Sequence, residues 1–220
     1  MVLVVIPAYN EAEKVGRVIR GLFEHGYSDV LVVDDGSKDS TSSEAEKAGA
    51  KVIKHKINRG QGAALETGDQ YARSVKALTV VHFDADGQFN PIDISAGIKA
   101  MNEKGVDIIF GSRFLDSRSK IPWFKKYFLL RVARWINFVF SGILLSDAHN
   151  GFRIMNQNAL SKIVFKHDRM SHNTEVLKLV KKSGLKHAEV PVEVKYTDYG
   201  QGLFGGFKII YDLLIGMFTS

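Results

Sequence analysis

Asp84-Ala85-Asp86 places two carboxylates one residue apart, directly after the apolar, β-rich run 77–83. Gly87, Gln88, Asn90 and Pro91 then end the strand. Two carboxylates and the Gln88 amide oxygen form a hard oxygen set of the kind that binds Mg²⁺ or Mn²⁺ together with substrate phosphates. A solvated acidic turn reads from the same residues equally well. Three further stretches have similar character. Asp34-Asp35-Gly36-Ser37 offers carboxylates to ribose hydroxyls or a base N–H, or forms an ordinary Asp-Gly turn. Asn58-Arg59-Gly60-Gln61-Gly62 opens a helix with small residues, which suits either an anion or a tight connection. Gly111-Ser112-Arg113 presents a guanidinium that can grip phosphate bidentately or make a surface ion pair.

The elements that position these stretches follow from hydrophobic pattern. Val2–Ile6, Val30–Val33, Lys51–Lys54, 77–83 and Val106–Phe110 read as strands. Helices are expected to begin at Asn10 or Glu11, after Asp39 or Ser40, around Ala63–Val75 and over Ile92–Lys104. Alternation of strand and helix predicts an α/β fold with a mostly parallel, Rossmann-like sheet flanked by helices. Ligands bind such sheets beyond the carboxyl ends of the strands, where Pro7-Ala8-Tyr9, Asp34-Asp35, Asp84-Ala85-Asp86 and Gly111-Ser112-Arg113 converge. The later part of the chain predicts a short strand within His149–Met155, a helix over 172–182 and a strand over Glu189–Tyr196. Residues 123–140 and 207–218 read as amphipathic helices, the first basic and aromatic, suited to core packing or to lipid headgroups.

The 220 residues are expected to form one domain, with a nucleotide-binding half over 1–115 and an acceptor- and membrane-facing half over 116–220. The absence of cysteine excludes disulfides, thiolate zinc sites and cysteine nucleophiles. A formal charge of +6 fits phosphorylated substrates or anionic lipid. No nucleic-acid-binding motif accompanies it. The start lacks the basic leader of a signal peptide, and no run reaches the ~18 apolar residues of a membrane span. The expected location is therefore cytoplasmic, peripheral to the membrane.

In order, Ile6-Pro7-Ala8-Tyr9-Asn10-Glu11, Asp34-Asp35-Gly36-Ser37-Lys38-Asp39-Ser40-Thr41, Asn58-Arg59-Gly60-Gln61-Gly62 and Asp84-Ala85-Asp86-Gly87-Gln88 resemble the family 2 glycosyltransferases of GT-A fold. Gly111-Ser112-Arg113, Asp147–Arg153 and Thr174-Glu175 resemble its dolichyl- and polyprenyl-phosphate sugar synthase branch, which includes dolichol-phosphate mannose synthase. The resemblance implies inverting, metal-dependent transfer of a hexose from a nucleotide diphosphate sugar (GDP-mannose or UDP-glucose) to dolichyl or polyprenyl phosphate. It implies that Pro7, Ala8, Tyr9, Glu11 and Asp35 hold the nucleotide, with Gln61 and Ala85 in the same nucleotide-sugar site. Asp84, Asp86 and Gln88 would hold Mg²⁺ or Mn²⁺, and Lys195 would reach the donor phosphates. Arg113, with Lys126 and Arg131, would face the acceptor phosphate, making Asp86 and Arg113 the catalytic pair. Asn150–Arg153 would shape the sugar pocket. Gly202 stands where many relatives have serine. The lipid would be reached through the amphipathic helices or a membrane-protein partner. Transfer to a soluble hydroxyl acceptor, with Asp147 or Glu175 as base, and a non-catalytic nucleotide-sugar-binding scaffold are the alternatives.

Overall fold

A computed structural model describes residues 1–119, 138, 142–147, 150–166 and 172–195. The expected amphipathic helices, the acceptor residues Lys126 and Arg131, and the stretch around Gly202 lie outside the described residues. The described elements are β1 (Val2–Ala8), α1 (Ala12–Glu24), β2 (Asp29–Asp34), α2 (Thr41–Lys47), β3 (Lys51–Lys54), α3 (Gln61–Ser74), β4 (Thr79–His82) and α4 (Ile92–Lys104). They continue with β5 (Ile108–Ser112), β6 (Arg153–Asn156), α5 (Gln157–Lys162), α6 (His172–Lys182) and β7 (His187–Pro191).

The strands form one sheet in the order β3-β2-β1-β4-β6-β5-β7. All pairs are parallel except those of β6, which runs antiparallel between β4 and β5. Each buried strand sends alternate side chains to opposite faces. Leu3 and Val5 of β1 join Leu31, Val33 and Val80 in a core covered by α3, α5 and α6. Val4 and Ile6 join Val30, Val32 and Val81 under α1, α2 and α4. Continuous apolar runs such as Val2–Ile6 exist because both faces are covered.

Several boundaries differ from the sequence expectation. β5 begins at Ile108 and runs through Ser112, so only Arg113 follows it, and Pro7 and Ala8 lie inside β1. Just before β5, the Asp107 carboxylate accepts hydrogen bonds from Asn156 Nδ2, Asn158 Nδ2 and the Lys186 backbone N–H, while its own backbone bonds to Lys186 and Asn156. The strand expected over Glu189–Tyr196 starts earlier, at His187, and ends at Pro191, with a single bridge from Val194 to Phe89 beyond it. α5 has no counterpart in the sequence reading. Its six residues are too few to show a period, although Asn156 caps it by accepting from the Ala159 N–H at 2.9 Å.

Helix α3 lies close on β1 because Gly68 has no side chain. A Cβ there would stand 2.2 Å from Val5 Cγ1. Gly68→Ala is therefore expected to destabilise the protein by about 1–3 kcal/mol through overpacking. That exceeds the ~1 kcal/mol alanine gains in helix propensity. A denaturant midpoint at or above wild type would contradict this packing.

Candidate active site

The β1–α1 and β2–α2 loops are stitched together at the carboxyl edge of the sheet. Asn10 takes a positive φ of 55° and its N–H donates to Ser37 Oγ at 2.9 Å, while its Oδ1 accepts from the Lys38 N–H at 3.0 Å. The Glu11 N–H donates to Thr41 Oγ1 and the Ala12 N–H to Asp39 Oδ2. Asp34 is fully buried and accepts from the Ser37 N–H and from Ser42 Oγ. Burial pushes its carboxyl up, but the Ser37 and Ser42 hydrogen bonds outweigh this and hold it below its ordinary value. The first carboxylate of the Asp34-Asp35 pair therefore builds the loop, and the second reaches the cleft.

That cleft, of about 370 Å³, is lined by Pro7, Ala8, Tyr9, Glu11, Asp35, Asn58, Gly60, Gln61, Ala64, Asp84, Ala85 and Asp86. Nine of the residues expected at the nucleotide-sugar and metal sites are thus brought together. Asp35 accepts from the Arg59 N–H at 3.0 Å, the Gly60 N–H at 2.6 Å and His55 Nδ1 at 2.7 Å. His55 Nε2 lies 2.9 Å from Thr67 Oγ1, so a histidine just after β3 orients Asp35. Sequence reasoning missed it, since nothing in its spacing marks it.

Asp84 opens onto the cleft but is crowded by protein on its other sides. Burial, then the neighbouring Asp86, push its carboxyl up to about 7, against the pull of Arg153 and the Gln61 hydrogen bond. Burial also raises Asp86, opposed by the Gln88 N–H that donates to its Oδ1 at 2.9 Å. Gln61 Nε2 donates to Asp84 Oδ1 at 3.1 Å. A Cβ on Gly151 would meet Asp84 Oδ2 at 2.5 Å, so glycine keeps space open against this carboxylate. Two crowded carboxylates offering only oxygen fit a hard divalent cation, which balances their charge. Among the described residues no third carboxylate or imidazole completes a protein cage. This matches the way Mg²⁺ is held, by one or two carboxylates plus substrate phosphates and water.

Suppressed ionisation of Asp84 has a measurable consequence in the metal-free protein. An ordinary aspartate loses its proton near 3.8, and the folded chain keeps this one to about 7. Between these values the folded state binds more protons than the unfolded state, so the group's stabilising contribution falls as pH rises and is gone above about pH 7. Urea unfolding in EDTA at pH 5 and pH 8 should show a smaller drop in stability for Asp84→Asn than for wild type. Equal drops would mean that Asp84 titrates normally.

Three expected residues stand apart from the cleft wall. The Gln88 N–H supports Asp86, and the Gln88 carbonyl accepts from the Lys195 N–H at 2.9 Å, so these two lie side by side next to the acidic pair. Arg113 pairs with Asp147, Nε to Oδ2 at 2.6 Å and Nη2 to Oδ1 at 2.8 Å. The stretch expected to shape the sugar pocket is largely interior. Phe152 packs edge-on against Phe83 and Phe89. Arg153 lies on the opposite face of the sheet, fully buried, with Nη2 on Asn173 Oδ1. β6 inserts beside β4 with Arg153 opposite His82, which takes these side chains into the two cores. Burial lowers the Arg153 guanidinium to about 10, with Asp84 and Asp69 acting in the other direction.

Fold and cleft together define a GT-A nucleotide-sugar transferase architecture. Residues 3–164 match the family model "Glycosyl transferase family 2", and the chain belongs to that family. It is 36% identical over 222 residues to an uncharacterised protein of Methanocaldococcus jannaschii, covering 97% of this chain and 91% of that one. It is 32% identical over 240 residues to the UDP-N-acetylglucosamine–dolichyl-phosphate N-acetylglucosaminyltransferase of Methanococcus voltae, covering 98% and 95%. Among solved structures it is similar to glucosyl-3-phosphoglycerate synthase from Mycobacterium tuberculosis in complex with Mn²⁺, UDP and glucosyl-3-phosphoglycerate. The TM-score is 0.71 at 18% identity, covering 97% of this chain and 78% of that one. This chain is a glycosyltransferase. Among its described residues no helix is long and apolar enough to cross a membrane.

Proposed function

We propose that the chain transfers one sugar from a nucleoside diphosphate sugar to a polyprenyl phosphate at a membrane surface, with inversion. The carrying observation is that Asp84 and Asp86 share one cleft with Pro7, Tyr9 and Asp35, an arrangement that suits a nucleotide whose diphosphate reaches the paired carboxylates. The Methanococcus voltae relative, named for a dolichyl-phosphate acceptor, supports the lipid phosphate. Asp84 and Asp86 would hold Mg²⁺ or Mn²⁺. When bound, such an ion acts as a Lewis acid on the leaving diphosphate.

The acceptor oxygen is already an anion, so no strong general base is required. Two anions must be brought together, and Arg113 with Lys195 offsets their repulsion and sets the line of attack. The phosphate oxygen forms the new bond to the anomeric carbon as the bond to the diphosphate breaks, with that electron pair leaving on the diphosphate. The bases a hydroxyl acceptor would need are engaged otherwise. Asp147 is held by Arg113, and Glu175 Oε1 accepts from the Lys166 N–H at 2.9 Å. This favours the phosphate acceptor over a soluble hydroxyl.

GDP-mannose and UDP-glucose are the donors first expected, and the Methanococcus voltae relative adds UDP-N-acetylglucosamine. Incubation of the protein with each radiolabelled donor, Mn²⁺ or Mg²⁺ and polyprenyl phosphate should carry label into organic solvent for one of them. Label appearing only in water-soluble glycosides when hydroxyl acceptors are supplied would overturn the lipid assignment. Flotation with vesicles of anionic phospholipid tests the membrane-surface part of the reading, and a protein that stays at the bottom of the gradient would count against it.

A further inference from the structure

We infer that Asp147 is a positioning residue that presets the Arg113 guanidinium for the acceptor phosphate. The inference rests on the function proposed above and adds to it the group that aims the arginine. Asp147 is buried, and among the described residues its carboxylate accepts four hydrogen bonds. Oδ2 takes the Arg113 backbone N–H at 3.1 Å, Arg113 Nε at 2.6 Å and Asn150 Nδ2 at 3.2 Å, and Oδ1 takes Arg113 Nη2 at 2.8 Å. One carboxylate thus fastens both the backbone and one edge of the guanidinium of the same residue. An arginine fixed in this way is ordered before its ligand arrives, so little of that ordering opposes binding.

The anchor is itself fixed to the sheet. Glu189 of β7, in register with Phe110 of β5, accepts from the Ser146 N–H at 2.8 Å, from Ser146 Oγ at 2.7 Å and from the Asp147 N–H at 3.3 Å. Ser146 Oγ also lies 2.6 Å from Ser112 Oγ, one residue before Arg113. From Asp147 the chain reaches Gly151, which abuts Asp84, in four residues. Four residues span at most about 14 Å, so the arginine's anchor and the acidic pair share one short segment. An ordinary surface ion pair would require neither this support nor this link to the cleft.

The test is a double-mutant cycle on the full chain, with Asp147→Asn, Arg113→Ala and the double variant. Asp147→Asn keeps the side-chain shape and removes the charge. Its apparent KM for polyprenyl phosphate should rise about tenfold, while the KM for nucleotide sugar and the Kd for the nucleoside diphosphate with Mn²⁺ stay within about twofold. In the Arg113→Ala background the same change should move the acceptor KM by less than about twofold. An additive cycle, or equal loss of donor and acceptor affinity, would overturn the inference and leave the proposed function standing. A wild-type chain that glycosylates no polyprenyl phosphate would overturn both. Should Asp147→Asn lower the thermal midpoint, unchanged nucleotide binding still shows that the cleft is formed, and the cycle is read on that footing.

Discussion

Asp86→Ala is expected to lower kcat/KM at least 100-fold while the protein remains folded. Removing a group that acts on charge developing in the transition state costs about 3–4 kcal/mol, which corresponds to that factor. Asp86 carries little of the fold, since its carboxylate sits on the cleft wall and accepts only the Gln88 N–H among the hydrogen bonds described. Loss of its charge should also weaken Mn²⁺ binding, which isothermal titration in the absence of donor would detect. Near-normal turnover of a purified Asp86→Ala enzyme would remove the acidic pair from the mechanism. In metal-free buffer the variant should match or exceed wild-type stability, because Asp84 and Asp86 repel each other there and both carboxyls are raised.

Gly151→Ala should also damage activity, for a different reason. The added Cβ would stand 2.5 Å from Asp84 Oδ2 and 2.9 Å from Oδ1, inside any van der Waals contact. The clash falls on the far end of a short side chain rather than on backbone. Asp84 therefore rotates away, and the cost to the fold is small. We expect weaker Mn²⁺ affinity and at least a tenfold loss of kcat/KM, with a thermal midpoint close to wild type. A variant with full activity would mean that Asp84 need not occupy its present orientation. Taken with Gly68→Ala, which strikes Val5 in the core, it contrasts a glycine kept for the site with one kept for packing.

Motifs at strand ends were legible in the sequence because a parallel α/β sheet leaves them only one edge to occupy. Pro7, Tyr9, Asp35, Gln61, Asp84 and Asp86 are far apart along the chain yet line one cleft. Their residue types suggested the chemistry, and the alternation of strand and helix reported where they meet. Helices such as Ile92–Lys104 and His172–Lys182 were read with their observed bounds, since each is long enough for a 3.6-residue period to show. α5 was not, having a cap but no period.

Division of labour within the motifs was decided by the tertiary structure alone. Asp34 and Asp35 are identical in type and adjacent, yet one is spent on Ser37 and Ser42 and the other faces the cleft, because Asp34 ends β2 and Asp35 opens the loop beyond it. Phe152 and Arg153 looked like pocket residues and became core, because β6 is threaded antiparallel between β4 and β5. That threading depends on long-range pairing, which no local pattern encodes. The same applies to His55 behind Asp35 and to Asp147 behind Arg113. A supporting partner is defined by three-dimensional proximity and a satisfied hydrogen bond, and neither leaves a spacing in the chain.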